Sequence, residues 1–349
     1  VSYKKCFKGE GMAVLVTGGA GYIGSHTVLQ LLNHNYDVIV IDNFSNSSKI
    51  ALKRVEYLTS KKIIIYEGDI RNIDLIDSVF ANNDIEAVIH FAALKSVSES
   101  IKKPIQYYEN NVIGTLHLIN SMLKNKIYNF IFSSSATVYG NPTAIPVHEN
   151  CSTGGTTNPY GTTKYIVERM LEDITNYEFK FNATCLRYFN PVGAHYSGLI
   201  GEDPNGVPSN LFPYLTQVAV GKLEKLTIYG GDYPTVDGTG VRDYIHVMDL
   251  AEGHIAALKK QNIYGGLRYY NLGTGKGYSV KEIIDAFQKI TGIKIPYVIS
   301  ERRLGDIAEC WSKPDLAIKE LHWEAKRTLE DMITDAWRWQ NKNPNGYSE

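Results

Sequence analysis

AVLVTGGAGYIGSH, residues Ala13 to His26, is the stretch on which the fold turns. Its first five residues form an apolar run without alternation, as expected of a strand buried on both faces. Glycines follow, and Tyr22–Leu32 then repeats its apolar residues at helical period. The turn satisfies Gly-x-Gly-x-x-Gly as Gly19, Gly21 and Gly24, and Gly-x-x-Gly-x-x-Gly as Gly18, Gly21 and Gly24. Such glycines permit a tight turn and a close backbone approach to a pyrophosphate, which the helix N-terminus then faces. A lone match is weak evidence, but here strand, turn, helix and a second strand, Asp37–Ile41, come in the required order. Asp42 closes that strand 18 residues after Gly24. A carboxylate there binds a ribose diol and repels a 2′-phosphate, which favours NAD over NADP.

Outward from this unit the alternation continues. Lys62–Tyr66 reads as a third buried strand, Ala87–Phe91 as a fourth, Asn129–Phe132 as a fifth and Asn182–Tyr188 as a sixth. Asn72 caps a helix that carries Ile73, Ile76, Val79 and Phe80, one long helix is expected from near Pro104 to Leu123, and Asn158-Pro159 starts another. Strands alternating with helices predict an α/β fold with a doubly wound parallel sheet of Rossmann type. After Asn190 the composition shifts to Gly, Pro, Asn and Asp over residues 191–240, and helical patterns resume at Val247–Leu258, Val280–Ile290 and Thr328–Asn341. The expected organisation is a short extension (1–11), a dinucleotide domain (12–190) and a smaller mixed α/β substrate domain (191–349), with some segments crossing back.

Composition narrows the functions. Lys and Arg total 36 against 37 Asp and Glu, so the charge balance gives no support for nucleic-acid or membrane-surface binding. No apolar run approaches the roughly 18–20 residues of a membrane helix. Residues 1–11 carry Lys4, Lys5 and Lys8 but no apolar core, so they do not read as a secretion signal. Cys6, Cys151, Cys185 and Cys310 have neither zinc-ligand nor redox-motif spacing, and the nine histidines show no paired spacing; free thiols, a reducing cytoplasm and no metal are expected.

The chemistry is announced by Tyr160-Gly161-Thr162-Thr163-Lys164, with Ser133-Ser134-Ser135 about one helix length upstream. A tyrosine and a lysine four residues apart share a helix face. Where that face borders a bound nicotinamide, the lysine and the ring charge stabilise a phenolate, and the tyrosine becomes a usable base near neutral pH. Together with the glycine turn, this points to hydride chemistry on an alcohol.

The motifs VTGGAGYIGSH, VIDNFSNSS, HFAALKSVSES, FSSSATVYG, NPYGTTK, LRYFNPVGAH, DGTGVRDYIHVMDLA and YNLGTGKG run from Met12 to near the C-terminus. With them the chain resembles the extended short-chain dehydrogenase/reductases, and within these the UDP-sugar 4-epimerases. The resemblance implies an NAD domain plus a smaller UDP-sugar domain, and epimerisation at C4 through a 4-keto sugar. It makes Tyr160 the acid/base, Lys164 its electrostatic partner and Ser135 the hydroxyl on the reacting sugar. Around NAD it places Gly18, Gly21, Tyr22, Ile23, Gly24, Asp42, Asn43, Asn46, Ser47, Asp69, Ile70, Phe91, Ala92, Lys95, Asn110, Ser133, Tyr160, Lys164 and Tyr188. Around the nucleotide sugar it places Lys95, Ser135, Tyr160, Phe189, Asn190, Asn210, Leu211, Tyr229, Arg242, Tyr244, Arg303, Asp306 and Cys310. Arg242 and Arg303 suit a diphosphate because guanidinium bonds phosphate oxygens in a plane, two at a time.

Two departures stand out: Ala93 where many members carry glycine, and Thr162-Thr163 where many carry Lys-Ser. Cys310 falls where members restricted to UDP-glucose and UDP-galactose carry tyrosine, so activity on the N-acetylated sugars is expected as well; the bland reading is a packing cysteine. Dehydratases of the family place Asp-Glu beside the active-site hydroxyl, whereas this chain has Ser134-Ser135-Ala136-Thr137. UDP-uronate or UDP-pentose epimerases stay open, as does a non-catalytic NAD-binding regulator, although the latter should lack the Tyr-Lys pair. Relatives commonly form homodimers through the helices at about 104–123 and 159–177, and Leu116, Ile119 and Leu123 could face either a partner or the sheet.

Overall fold

The computed structural model describes residues 13–303 and 305–348. The expected extension 1–11 lies outside them. Two compact units emerge: one takes the chain up to Gly140, Thr153–Arg187 and His254–Tyr270, the other Asn141–Ser152, Tyr188–Gly253 and Asn271 onward.

The first unit is built on strands β1 (Ala13–Thr17), β2 (Asp37–Asp42), β3 (Ile64–Glu67), β4 (Ile85–His90), β5 (Asn129–Ser135), β6 (Asn182–Tyr188) and, later in the chain, β10 (Leu267–Leu272). They form one sheet in the order β10-β6-β5-β4-β1-β2-β3. The pairs from β3 through β5 are parallel. β1, β2 and β4 have almost every residue buried, as unbroken apolar runs demand. β3 differs from expectation. Ladder pairing starts at Ile64, opposite Ile39, and exposure alternates along it because it is the edge strand. Crossover helices α1 (Tyr22–Asn33), α2 (Lys49–Thr59) and α3 (Ile73–Asn82) cover the sheet, α2 being an element the sequence reading passed over. Asn72 caps α3 by accepting from Leu75 N at 3.1 Å.

The expected single helix from Pro104 to Leu123 is instead broken. After α4 (Val97–Lys102), α5 (Pro104–Tyr108) leads into a π-helical turn, Glu109–Ile113, and then α6 (Gly114–Lys124). The wider turn directs Asn111 inward, where it is 3 % exposed. π turns of this kind concentrate at functional sites. The structure also separates the faces the sequence left open: Ile119 is 1 % exposed and Leu123 packs on the core, while Leu116 is 47 % exposed. α7 (Pro159–Tyr177) begins as read, with the Asn158 side chain accepting from Gly161 N at 2.9 Å. Leu15, Ile39, Phe130, Phe132, Leu171 and Phe181 belong to the unit's continuous core, in which each large side chain contributes roughly 1.5–3 kcal/mol by burial.

The second unit centres on β9 (Val241–His246), which pairs with β7 (Asn190–Val192), β11 (Gly277–Ser279) and β13 (Glu309–Cys310); β8 (Leu226–Tyr229) pairs in parallel with β12 (Tyr297–Ser300). α8 (Leu211–Ala219), α10 (Val280–Thr291) and α11 (Leu329–Lys342) pack Phe212, Leu215, Ile283, Phe287, Met332 and Ile333 into its core. Both α10 and α11 open with a reciprocal capping box, Ser279/Glu282 and Thr328/Asp331. α9 (Val247–Tyr264) runs six residues past its expected end at Leu258. No helix of the described residues is long and apolar enough to cross a membrane.

Candidate functional site

In the first unit, strand order reverses between β1 and β4, the switch point at whose carboxyl ends such sheets bind ligands. Phe91 N and Ala92 N both donate to Thr17 O, at 2.9 and 3.1 Å, folding the end of β4 onto the start of the glycine turn. Three glycines there answer three needs. Gly18 has φ +69°, and a Cβ on it would lie 2.7 Å from Ala92 N. A Cβ on Gly24 would lie 2.2 Å from Gly18 O, so α1 rests directly on the turn. A Cβ on Gly21 meets only Gly18 O, at 3.3 Å, leaving room for something else to approach. Gly21 is also the N-cap of α1, with no side-chain cap bond and no acidic residue in the first turn. Tyr22 and Ile23 open the helix and are partly exposed. This cradle fits a dinucleotide pyrophosphate.

Asp42 is buried. Its Oδ2 accepts from Ala20 N at 2.9 Å, and its Oδ1 from Phe44 N at 2.9 Å and Ser47 Oγ at 2.8 Å. Its carboxylate thus organises both the glycine turn and the loop bearing exposed Asn43 and Asn46, with acceptor capacity left for a ribose hydroxyl. Asp69 accepts from Asn43 Nδ2 at 2.9 Å and forms a two-point pair with Arg71. Ile70 is 4 % exposed and belongs to the core, so contact with a ligand there falls to its backbone. Asn110 Nδ2 donates to Asn111 Oδ1 at 3.0 Å. Asn111 in turn holds Leu94 N and O and the Thr163 hydroxyl, which fixes the Lys95 loop against α7. The sequence reading missed Asn111; its signal was the Asn-Asn pair inside an otherwise apolar-periodic helix.

Tyr160 stands in the first turn of α7, partly buried and hydrogen-bonded with Ser135. Burial pushes its phenol up to about 12, with the Ser135 hydrogen bond pulling the other way. Ser135 also accepts from Thr137 N at 3.2 Å, capping a short 3₁₀ turn, Ala136–Tyr139. Lys164 is 3 % exposed. Its Nζ donates to the Ser133 carbonyl at 2.5 Å and lies 3.3 Å from Ser133 Oγ, 4.7 Å from the Phe132 ring centroid and 5.9 Å from that of Tyr160. Burial pulls its ammonium down to about 7, opposed by the charge of Glu168 and, less, by Cys185. Tyr160, Lys164, Ser133 and Ser135 are therefore brought together where β5 ends and α7 begins. The phenol of the chain by itself, however, is less acidic than free tyrosine.

In the second unit, register does the assembling. Asn190 pairs with Tyr244, and Cys310 with Arg242, across β9. Tyr229 pairs with Ser300, and three residues on Arg303 stacks over the Tyr229 ring at 4.7 Å. Arg303 Nε donates to Asp306 Oδ2 at 3.0 Å and Nη1 to Ser209 O at 3.3 Å, next to Asn210 and Leu211 at the start of α8. Arg242 donates to the carbonyls of Val241 and Ile307, both at 2.8 Å. Tyr244 is buried, its phenol pushed up to about 12 by burial while Arg242 and Arg303 pull it down. Cys310 is 9 % exposed, its thiol raised by burial to about 11. Tyr188 and Phe189 are buried and Asn190 is exposed. Asp243, not expected from the sequence, is fully buried and accepts from Thr274 N and Oγ1, Gly275 N, and Ser312 N and Oγ, holding β9 and the loop after β10 in place.

A strand order with a glycine turn at its switch point, and a Tyr-Lys pair set beside a serine strand end, define a dinucleotide-dependent enzyme of alcohol–carbonyl chemistry. The chain belongs to the NAD dependent epimerase/dehydratase family, which it matches over residues 14–273. It is 59% identical to a UDP-glucose 4-epimerase of Pasteurella multocida over 338 residues, 97% of this chain and 100% of that protein. The structure of a Bifidobacterium longum UDP-glucose 4-epimerase in complex with NAD+ and UDP superposes with a TM-score of 0.94 at 54% identity, covering 96% of this chain and 100% of that one. A UDP-Glc/GlcNAc 4-epimerase from Campylobacter jejuni matches with a TM-score of 0.83 at 35% identity, covering 95% and 100%.

Proposed function

We propose that this chain catalyses the reversible, NAD-dependent epimerisation of UDP-glucose and UDP-galactose at C4. The observation that carries this reading is the Tyr160–Ser135–Lys164–Ser133 assembly in a chain that shares more than half its residues with UDP-glucose 4-epimerases along almost its whole length. Bound NAD supplies an acceptor for the C4 hydride and a positive ring charge. Gly18, Gly21 and Gly24 would cradle its pyrophosphate, Asp42 its ribose diol, and Lys164 the ribose nearest the reacting carbon. Tyr160 takes the proton of the 4-hydroxyl and returns one to the 4-keto oxygen. Lys164, as an ammonium, stabilises the phenolate that takes the proton and is regenerated when one is returned. Ser135 holds the sugar oxygen in line. Arg242 and Arg303 hold the diphosphate, with Asn190, Asn210, Leu211, Tyr229, Tyr244 and Asp306 around the rest of the nucleotide, so that the hexose can turn over while UDP stays fixed.

The sequence Ser134-Ser135-Ala136-Thr137 offers no acid for elimination, and the buried carboxylate near Ser134, Glu168, is committed to Arg187. We extend the substrate range to the N-acetylated hexoses. Cys310 is much smaller than tyrosine and sits in register with Arg242, beside the expected diphosphate position. Cys310→Tyr is expected to abolish conversion of UDP-N-acetylgalactosamine and spare UDP-galactose; equal survival of both activities removes the pocket argument. The reading also places the enzyme in the cytoplasm, in keeping with free Cys151, Cys185 and Cys310. It is read as a homodimer joined through α5–α6 and α7, where Ile105, Ile113 and Leu116 are 73 %, 44 % and 47 % exposed.

The deciding experiment incubates the purified protein with UDP-galactose and, separately, UDP-N-acetylgalactosamine, without added NAD, and resolves products by chromatography. Conversion of both is expected. Conversion of UDP-galactose alone keeps the mechanism and removes the wider range. No conversion even with NAD redirects the reading to uronate or pentose sugars, or to a regulator.

A further inference from the structure

Glu168 is a buried carboxylate that the proposed reaction does not use. It lies one helical turn beyond Lys164 on α7, on the same face, with its side chain 3% exposed. Its Oε1 accepts from Ser134 Oγ at 2.6 Å and from Arg187 Nε at 3.0 Å; its Oε2 accepts from Arg187 Nη2 at 2.7 Å. Arg187, 4% exposed, also donates to the Tyr139 hydroxyl at 2.9 Å, and its guanidinium lies 4.4 Å from the Tyr269 ring. Meanwhile Lys164 Nζ grips the Ser133 carbonyl. Helix α7 is thus fastened to consecutive residues of β5 by two links, an ammonium on Ser133 and a carboxylate on Ser134, just before Ser135.

We propose that Glu168 is a positioning residue for this reaction: it keeps the buried Lys164 protonated and, through Ser134, fixes the serine strand against which Tyr160 is set. The proposal rests on the function read above. Its electrostatic part follows from what surrounds Lys164. α7 presents Tyr160 and Glu168; β4 presents His90; β5 presents the Phe132 ring; β6 presents Cys185 and Arg187. His90 is neutral, lowered to about 3 by burial and then by the Lys164 charge, and it bonds Thr17 and Thr115 hydroxyls at 2.6 and 2.8 Å. Burial keeps the Cys185 thiol and the Tyr160 phenol protonated. Glu168 is the larger of the two influences that hold proton on Lys164 against burial. Burial works against the Arg187 charge too, yet its hydrogen bonds to Glu168 keep it above its ordinary value. A buried ion pair brings little net stability relative to an apolar pair of the same volume. Its place one turn from the lysine is therefore what calls for a role.

The test compares the pH dependence of kcat/KM on UDP-galactose for the purified full chain, with the NAD it retains, as wild type, Glu168→Gln, Glu168→Asp and Ser134→Ala. Loss of the neighbouring negative charge should move the alkaline limb of Glu168→Gln about one pH unit lower, close to tenfold in rate on that limb and little on the acid side. Glu168→Asp and Ser134→Ala retain the charge and should leave the limb in place. An equal loss at every pH in Glu168→Gln overturns the proposal. A second readout needs no turnover. A lysine that titrates low in the fold makes stability rise with pH from its folded value toward its unfolded value near 10.4. The urea midpoint of the wild type should therefore climb above pH 7, and that of Glu168→Gln should begin climbing at lower pH; identical curves overturn the proposal. If Glu168→Gln alone does not fold because Arg187 is left unpaired, the double change Glu168→Gln with Arg187→Met removes both charges and is read the same way. A wild type without turnover counts against the function read above and leaves the urea curves to decide this one.

Discussion

Two charged constellations divide the chemistry of this chain, and they are built in opposite ways. Lys164, Glu168 and Arg187 are almost wholly buried, and each is held by strand or helix neighbours at hydrogen-bond distance. Arg303 stands 44% exposed and Asp306 24%, on the segment that follows β12, and Tyr229, which ends β8, is 38% exposed. Proton transfer depends on ionisation states, and burial magnifies the effect of one charge on another. Anchoring an anion depends on reach, and a solvated guanidinium loses little while it waits. The difference teaches that the first group should be intolerant of change in stability and in pH response, and the second in affinity alone.

The sharpest break of that contrast is Tyr160→Phe. It removes the base from a partly exposed position without opening a cavity, so turnover should fall at least 10²–10⁴-fold while the melting temperature stays close to wild type. Retained activity would remove Tyr160 from the mechanism. Next is Arg187→Met, which strands the Glu168 carboxylate in the core; urea denaturation should show a loss of about 3–5 kcal/mol. The matching change in the second constellation, Arg303→Ala, leaves Asp306 partly exposed and should cost under about 1 kcal/mol of stability. Its effect belongs in KM for the UDP-sugar, raised about tenfold or more for the loss of a charged hydrogen bond, with kcat much less affected. A KM unchanged in Arg303→Ala would take it out of the binding set. The smallest effect calibrates the others. Hydrogen bonds from Arg71 hold the half-buried Asp69 carboxyl at about 2, against burial. That pair's contribution is complete above about pH 4, the unfolded value, and lost as pH falls toward 2. Arg71→Gln should thus lower the urea midpoint slightly at pH 7, and by progressively less as pH falls through 2.

The glycine turn, the strand-turn-helix-strand succession it opens and the Tyr160–Lys164 spacing were legible because each is local: adjacent residues meet the requirement without help from the rest of the chain. The seventh strand, β10, was not read, since LRYYNL lies beyond a long loop segment and only its pairing with β6 makes it part of the sheet. The π turn at Glu109–Ile113 was read as regular helix because one extra residue per turn leaves the apolar period almost unchanged. Asp243 and the Glu168–Arg187 pair were missed for a different reason. Their partners are 19 to 69 residues away, and spacing along the chain carries no trace of them. The sequence reading asks for both Lys164 and the nicotinamide ring charge to make Tyr160 a base, and the structure shows why Lys164 does not suffice. At 5.9 Å from the ring, with its own ammonium pulled down by burial, it does not outweigh the loss of solvent around the phenol.

Asp42 shows what this architecture means for anyone wishing to redesign it. The residue that would discriminate between the two nicotinamide dinucleotides also bonds Ala20 N in the glycine turn, and Phe44 N and Ser47 Oγ in the loop beyond β2. A change that makes room for a 2′-phosphate removes these three supports together with the repelling charge. Coenzyme preference is therefore not a free parameter of this scaffold. A switched variant needs replacement acceptors for Ala20 N, Phe44 N and Ser47 Oγ before a new charge at position 42 can be of use.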